Sequence, residues 1–116
     1  MDGTIYKVMS RAALAEAKAK GRFEGSADDR RDGFIHLSSA DQLEGTLAKH
    51  FAGQEDLVLI AVDPMRLGER LRWELSRGGA LFPHLYGPLD FGALIWDETL
   101  ELGADGRHRL PACVLP

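Results

Sequence analysis

Two short stretches carry side chains able to do chemistry. Asp32-Gly33-Phe34-Ile35-His36-Leu37-Ser38-Ser39, if extended, puts Ile35 and Leu37 on one face and Phe34, His36 and Ser38 on the other. Phe82-Pro83-His84-Leu85-Tyr86-Gly87 repeats the arrangement, with Phe82, His84 and Tyr86 sharing a face. Imidazole titrates near neutrality and serves as acid, base or hydrogen-bond anchor for a sugar or phosphate. The two faces are therefore expected to line one pocket. Each histidine has a competing role as a core residue with one satisfied hydrogen bond, and Ser38 or Ser39 one as a helix cap. Pro83, Gly87 and Pro88 fix an unusual backbone path, as at a bend beside a site. The alternative there is an edge strand whose Tyr86 hydroxyl finds a backbone partner.

Glu74 is the third candidate. Leu71, Trp73 and Leu75 alternate with Arg72, Glu74 and Ser76, the pattern of a half-buried strand. Beside the other two strands, Glu74 would orient a substrate hydroxyl or a histidine; otherwise Arg72 and Glu74 form a solvated face. No metal is expected, because the histidines at 36, 50, 84 and 108 show no local ligand spacing. His50 closes a helix, where it complements the dipole, and His108 has no obvious partner. A nucleophile elbow, a phosphate-cradling loop and a dinucleotide fingerprint are all missing. The single cysteine, Cys113, near an irregular end, excludes an internal disulfide.

The elements that must position these residues follow from pattern. Thr4 to Met9 reads as a strand. Ser10 caps an Ala-rich helix over 11–20 that Gly21 stops, with a Glu16–Lys20 pair. Glu24 to Asp32, small, charged and aperiodic, reads as an exposed loop, and Gly33 to Ser38 as the second strand. Ser39 and Gln42 form a capping-box signature ahead of a helix with Leu43, Leu47 and Phe51 buried, weakened by Gly45 and closed by Gly53. Leu57 to Val62 is apolar without alternation, the mark of a central strand covered on both faces. Pro64 to Leu67 makes one helical turn, Arg77-Gly78-Gly79 a flexible turn, and Pro88 to Phe91 another turn. Gly92 to Leu102 is a long strand, and Gly103 to Gly106 a hairpin returning through Leu110. The tail from Pro111 is irregular. Helices come early and strands accumulate later, which is the α+β class.

The chain has 116 residues, 45% hydrophobic and 28% charged, which suits one domain spanning 1–116. Fourteen basic and 18 acidic residues give a net charge of -4, and the Arg30-Arg31 pair is flanked by Asp28, Asp29 and Asp32. DNA binding, which rests on clustered cations, is not expected. Met1-Asp2-Gly3-Thr4 lacks the start of a signal peptide, and no apolar run approaches a membrane span. No membrane partner is expected, and cytoplasmic residence is the default; the pattern sets no oligomeric state.

These residues also resemble a known family. Asp32-Gly-Phe-Ile-His-Leu-Ser-Ser-Ala-Asp-Gln-Leu, the apolar strand ending at Asp63, and Phe82-Pro-His-Leu-Tyr-Gly-Pro-Leu look like the bacterial domain-of-unknown-function family 952, from Ile5 to about Trp96. More distantly, the element order is similar to RNA 2'-phosphotransferases and the wider ADP-ribosyltransferase superfamily. Phe34-Ile-His-Leu-Ser fits their second strand and Leu57 to Asp63 their third. The resemblance implies an ADP-ribosyltransferase-like mixed, bent β-structure with two N-terminal helices and an NAD-type cleft, NAD being the possible cofactor. The first strand departs, with Lys7 where those proteins carry the histidine that contacts the nicotinamide ribose, and without the glycine and threonine that follow. Lys7 then contacts a phosphate or carboxylate, or is simply an exposed strand lysine.

The reading is a cleft for a nucleotide or related phosphorylated or sugar-containing small molecule. His36, Glu74 and His84 are its candidate catalytic residues. Lys7, Phe34, Ser38, Arg72, Phe82 and Tyr86 are its candidate substrate-binding residues. An enzyme, a binder without turnover and a structural or protein-interaction domain are the three roles open to it.

Overall fold

The computed structural model of the chain describes residues 3–114. Met1 and Asp2, which begin the N-terminal reading, and residues 115 and 116 of the tail lie outside the described residues. The apolar run becomes β5 (Leu57–Val62), with all six residues buried. It lies between β1 (Ile5–Ser10) and β9 (Leu94–Leu102), both antiparallel to it. β10 (His108–Arg109) and β4 (Ser38–Ser39) complete a five-stranded sheet in the order β10-β9-β5-β1-β4. Both faces of β5 are covered because its side chains alternate between two cores. Val58, Ile60 and Val62 pack with Ile5 and Met9 of β1, Leu14 and Ala17 of α1 (Arg11–Lys20), and Ile35, Leu37 and Leu85. Leu57, Leu59 and Ala61 pack with Tyr6 and Val8 and with Leu43 and Leu47 of α3 (Leu43–His50).

The second sheet holds the candidate chemistry. β3 (Ile35–His36), β7 (Leu81–Leu85) and β6 (Leu71–Leu75) pair in the order β3-β7-β6. A two-stranded ladder joins β2 (Arg22–Phe23) to β8 (Leu89–Asp90). Helix α1 begins as read, with the Ser10 hydroxyl accepting from the Ala13 N–H, and ends at Gly21 in a left-handed conformation. The class is α+β.

Several expectations change. Residues 24–32 are not a loop: α2 (Ala27–Asp32) sits there, started by a Ser26–Asp29 capping box and stopped by Gly33 at φ 84°. Its charged sequence hid it, because six residues offer one buried position, Asp29, which is polar. The strand expected over 33–38 is two bridges in two sheets. β3 pairs with β7 and β4 with β1, and Leu37 between them donates its N–H to the Pro83 carbonyl (3.0 Å). On β6 only Leu71 packs against the core, Trp73 and Leu75 being 46% and 73% exposed, and Arg72 and Glu74 meet the neighbouring polar groups. Helix α3 follows a 3₁₀ turn over Ala40–Gln42 and ends at His50 with Phe51 as its cap, two residues before Gly53. The turn expected over 88–91 holds β8. Every described strand pair is antiparallel and three helices precede β5, where the resemblance implies mixed strands and two helices.

Candidate functional site

Lys7 shares a face of β1 with Ile5 and Met9, so its stem enters the core and its ammonium needs an internal partner. Asp29 supplies it, at 3.0 Å. The same buried carboxylate accepts from the Ser26 N–H (2.9 Å), the His36 N–H (3.0 Å) and His36 Nδ1 (2.6 Å). Lys7 also donates to the His36 carbonyl at 2.9 Å. Burial pushes the Asp29 carboxyl upward, but the His36 hydrogen bond, the Lys7 charge and the backbone N–H groups outweigh it and hold it well below the usual carboxylate range. Burial draws the Lys7 ammonium down from its ordinary value, against the opposing pull of Asp29. The other ring nitrogen of His36, Nε2, lies 2.9 Å from Asp32. Both nitrogens of His36 are thus engaged by carboxylates from α2.

His84 is held differently. It lies opposite His36 across β3 and β7, and opposite Arg72 across β7 and β6. Its Nδ1 is 2.8 Å from Glu74 Oε1, which also accepts from the Tyr86 hydroxyl at 2.7 Å. Those bonds, Tyr86 first and then His84, hold the Glu74 carboxyl below its ordinary value. An ionised carboxylate only accepts, so His84 carries its proton on Nδ1 when neutral and presents a lone pair on Nε2. No described side chain hydrogen-bonds that Nε2, and among the described residues no enclosed side-chain nitrogen or oxygen is left without a partner. His84 Nε2 therefore reaches solvent, although the residue is only 4% exposed. Phe34 stacks on the His84 ring at 4.0 Å and also meets His36 and Tyr86, at 4.6 and 5.3 Å. The two imidazoles are 5.7 Å apart.

Both histidines line a cleft of about 380 Å³. Lys7, Ser38 and Phe82 also line it, as do Asp29, Asp32, Thr46, Lys49, His50 and Arg77. The remaining candidates do not line it. Phe34, Glu74 and Tyr86 support His84 and are not part of the lining. Arg72 lies outside the cleft, with its guanidinium 5.2 Å from the Tyr86 ring. Lys7 is not the exposed strand lysine allowed above: it is 8% exposed, with its protons directed to Asp29 and His36. Ser38 bonds Thr46 of α3 at 3.0 Å and caps nothing, while the Ser39 N–H takes the capping bond to Gln42. His50 is the last residue of α3, as expected. Burial, then the charges of Arg77 and Lys49, push its imidazole below the ordinary value and favour the neutral ring. His108 has a partner after all, the Gln54 carbonyl at 2.8 Å.

Asp29, Asp32, Thr46, Lys49 and Arg77 escape the reading of the sequence. Ser26 with Asp29 at the third helical position was a usable signal for the first. Nothing local marks Arg77, whose side chain reaches Thr46 and Gly45 of α3 at the cleft. Among the described residues no group of three or more His, Cys, Asp and Glu side chains has the geometry to hold a metal ion.

The arrangement is an antiparallel α+β fold with a cleft lined from the five-stranded and three-stranded sheets and from α2 and α3, and with a pair of differently held histidines. A family model described as "Protein of unknown function (DUF952)" matches residues 8–97, and the chain belongs to that family. It is similar to protein CC0527 from Caulobacter crescentus, whose crystal structure is 56% identical with a TM-score of 0.88, covering 91% of this chain and 93% of that one. The solution NMR structure of CC0527, also 56% identical, matches with a TM-score of 0.82 over 90% of each chain. Among curated proteins nothing matches. No described helix is long and apolar enough to cross a membrane.

Proposed function

We propose that the cleft binds a nucleotide or a related phosphorylated ribose, and that its framework is a variant of the ADP-ribosyltransferase type. The observation that carries this is the His84 ring, buried, oriented by Glu74 through Nδ1 and lining a cleft that also holds Ser38. A concave site with a few convergent polar groups is where a small ligand binds. The volume, about 380 Å³, lies near the lower end of the ~300–1,000 Å³ usual for ligand pockets. It suits a sugar phosphate or mononucleotide, and a dinucleotide such as NAD would extend beyond it. At the position expected to anchor the nicotinamide ribose, Lys7 is bound into the Asp29 ion pair. That favours binding over ADP-ribosyl transfer.

A second reading, acid–base catalysis on such a ligand, is favoured by the Glu74–His84 pair. A carboxylate-oriented imidazole with one free nitrogen is the arrangement of a general base. His84 Nε2 would take or give the proton, and His36, engaged on both nitrogens, would act as a fixed wall.

Thermal-shift and NMR titrations with NAD, ADP-ribose and a short 2'-phosphorylated RNA test the binding reading. Saturable shifts at His84, lost in a folded His84→Ala variant, are expected for at least one probe. Binding that persists unchanged in His84→Ala would move the ligand out of this cleft.

A further inference from the structure

We propose that the end of the cleft between α3 and the turn after β6 is a phosphate subsite, in which Arg77 and Lys49 pair with the dianion while Ser38 and Thr46 hydrogen-bond its oxygens. This rests on the cleft being a ligand site, and it names the group that one part of it takes.

The charges of the lining lead there. Its three carboxylates already have cationic partners within the wall: Asp29 pairs with Lys7 at 3.0 Å, and Asp28 and Asp32 share Arg31 at 3.2 and 3.1 Å. Arg77 and Lys49 have no carboxylate within ion-pair distance among the described residues, so the cations left over gather at one end. They do so in a chain whose net charge is -4. His50 beside them senses the same potential, its imidazole being disfavoured as a cation first by burial and then by Arg77 and Lys49.

Arg77 is also pre-placed. Its guanidinium carbon sits 4.9 Å from the Phe82 ring centroid, and Nη2 is 3.4 Å from Thr46 Oγ1. Thr46 is in turn 3.0 Å from Ser38 Oγ, which lines up the fork and two hydroxyls. Gly45 makes room for this. A Cβ there would lie 3.1 Å from Arg77 Nη2. Alanine, the better helix former, would press on the guanidinium there. A planar fork held in advance suits bidentate recognition of an oxyanion. Two unmatched cations and two hydroxyls suit a phosphate dianion with three terminal oxygens better than a carboxylate, which one fork would satisfy.

The full chain is titrated by NMR at constant ionic strength with adenosine 5'-monophosphate, ribose 5-phosphate, adenosine and inorganic phosphate. The monophosphate is expected to bind about tenfold tighter than adenosine or better, the range of a hydrogen bond to a charged group. Arg77→Gln should erase that preference. Ribose 5-phosphate binding as tightly as the nucleotide would support the subsite and make a sugar phosphate its source. Gly45→Ala separates loss of the site from loss of the fold: its melting temperature holds or rises while phosphate affinity falls severalfold. Equal binding of monophosphate and adenosine, or a preference that survives both variants, would overturn the subsite and leave the cleft reading standing. Inorganic phosphate shifting Arg77 and Lys49 without any nucleoside binding would support the subsite and overturn the nucleotide reading. Silence from all four probes would overturn both.

Discussion

His36 and His84 face each other across one pair of strands yet live under different constraints. His36 is tied at both nitrogens to Asp29 and Asp32, and its backbone N–H and carbonyl are tied to Asp29 and Lys7. His84 is tied at one nitrogen to a single carboxylate that Tyr86 shares. The first arrangement spends its polar groups on one another and fixes geometry. The second leaves Nε2 without a hydrogen bond among the described residues. Two histidines with matching sequence surroundings therefore divide into one held at both ring nitrogens and one held at a single nitrogen, and the number of carboxylates around each ring makes the division.

The comparison breaks most visibly at Asp29. Asp29→Ala strands the Lys7 ammonium in the core and removes the α2 capping box, and removal of one partner from a buried pair costs about 3–5 kcal/mol. Urea denaturation of Asp29→Ala should show a loss of that order, and His84→Ala a clearly smaller one. A loss at Asp29 no greater than that at His84 would mean the network does not hold the fold together.

The next contrast is with acid. Asp29 titrates lower in the folded chain than in the unfolded one, where the ordinary value is ~3.9. Stability from that difference is complete above the unfolded value and is lost as pH falls through it toward the folded one. Melting temperature should therefore drop below about pH 4, and the drop should flatten in Asp29→Asn. Glu74 is lowered in the same direction but stands in solvent, so Glu74→Gln should leave the acid limb of the curve in place.

The smallest effect belongs to Tyr86. Tyr86→Phe removes one of two hydrogen bonds to Glu74 at an exposed position, so the melting temperature should hold. The change should appear in the nitrogen spectrum of His84, whose Nδ1–H then has the carboxylate oxygen to itself and moves toward stronger hydrogen bonding. If the His84 spectrum instead reports a proton on Nε2 at neutral pH in the parent chain, the contrast between the two rings is wrong.

Much of the scaffold was legible in the sequence. Leu57 to Val62 could hardly be anything but a central strand, and Ser10 with Gly21 bracketed α1 because caps obey local chemistry. Alternation put Phe34 with His36 and Phe82 with His84, and the expectation that the two histidines share a pocket is met through the pairing of β3 with β7. What stayed hidden was long-range. Lys7 and Asp29 are 22 residues apart, and a lysine in a strand normally points to water. Arg77 acts through Phe82 and Thr46, which no spacing links to it. β6 misled because its apolar stripe is buried at one end only: Leu71 packs on the core while Trp73 and Leu75 are exposed, and Glu74 turns to His84 and Tyr86.

Leu37 has a consequence for how the chain can change in length. A single residue carries the backbone from the three-stranded sheet to the five-stranded one, with its N–H fixed on Pro83. One inserted residue would either break that bond or reverse which way His36 and Ser38 point, since strand side chains alternate. The turn at 77–79, by contrast, is open at both of its left-handed glycines, where an added side chain would meet nothing within 4 Å. Insertions should thus be tolerated after Arg77 and rejected beside Leu37, so the reach of the cationic end can vary while the spacing of the histidine wall cannot.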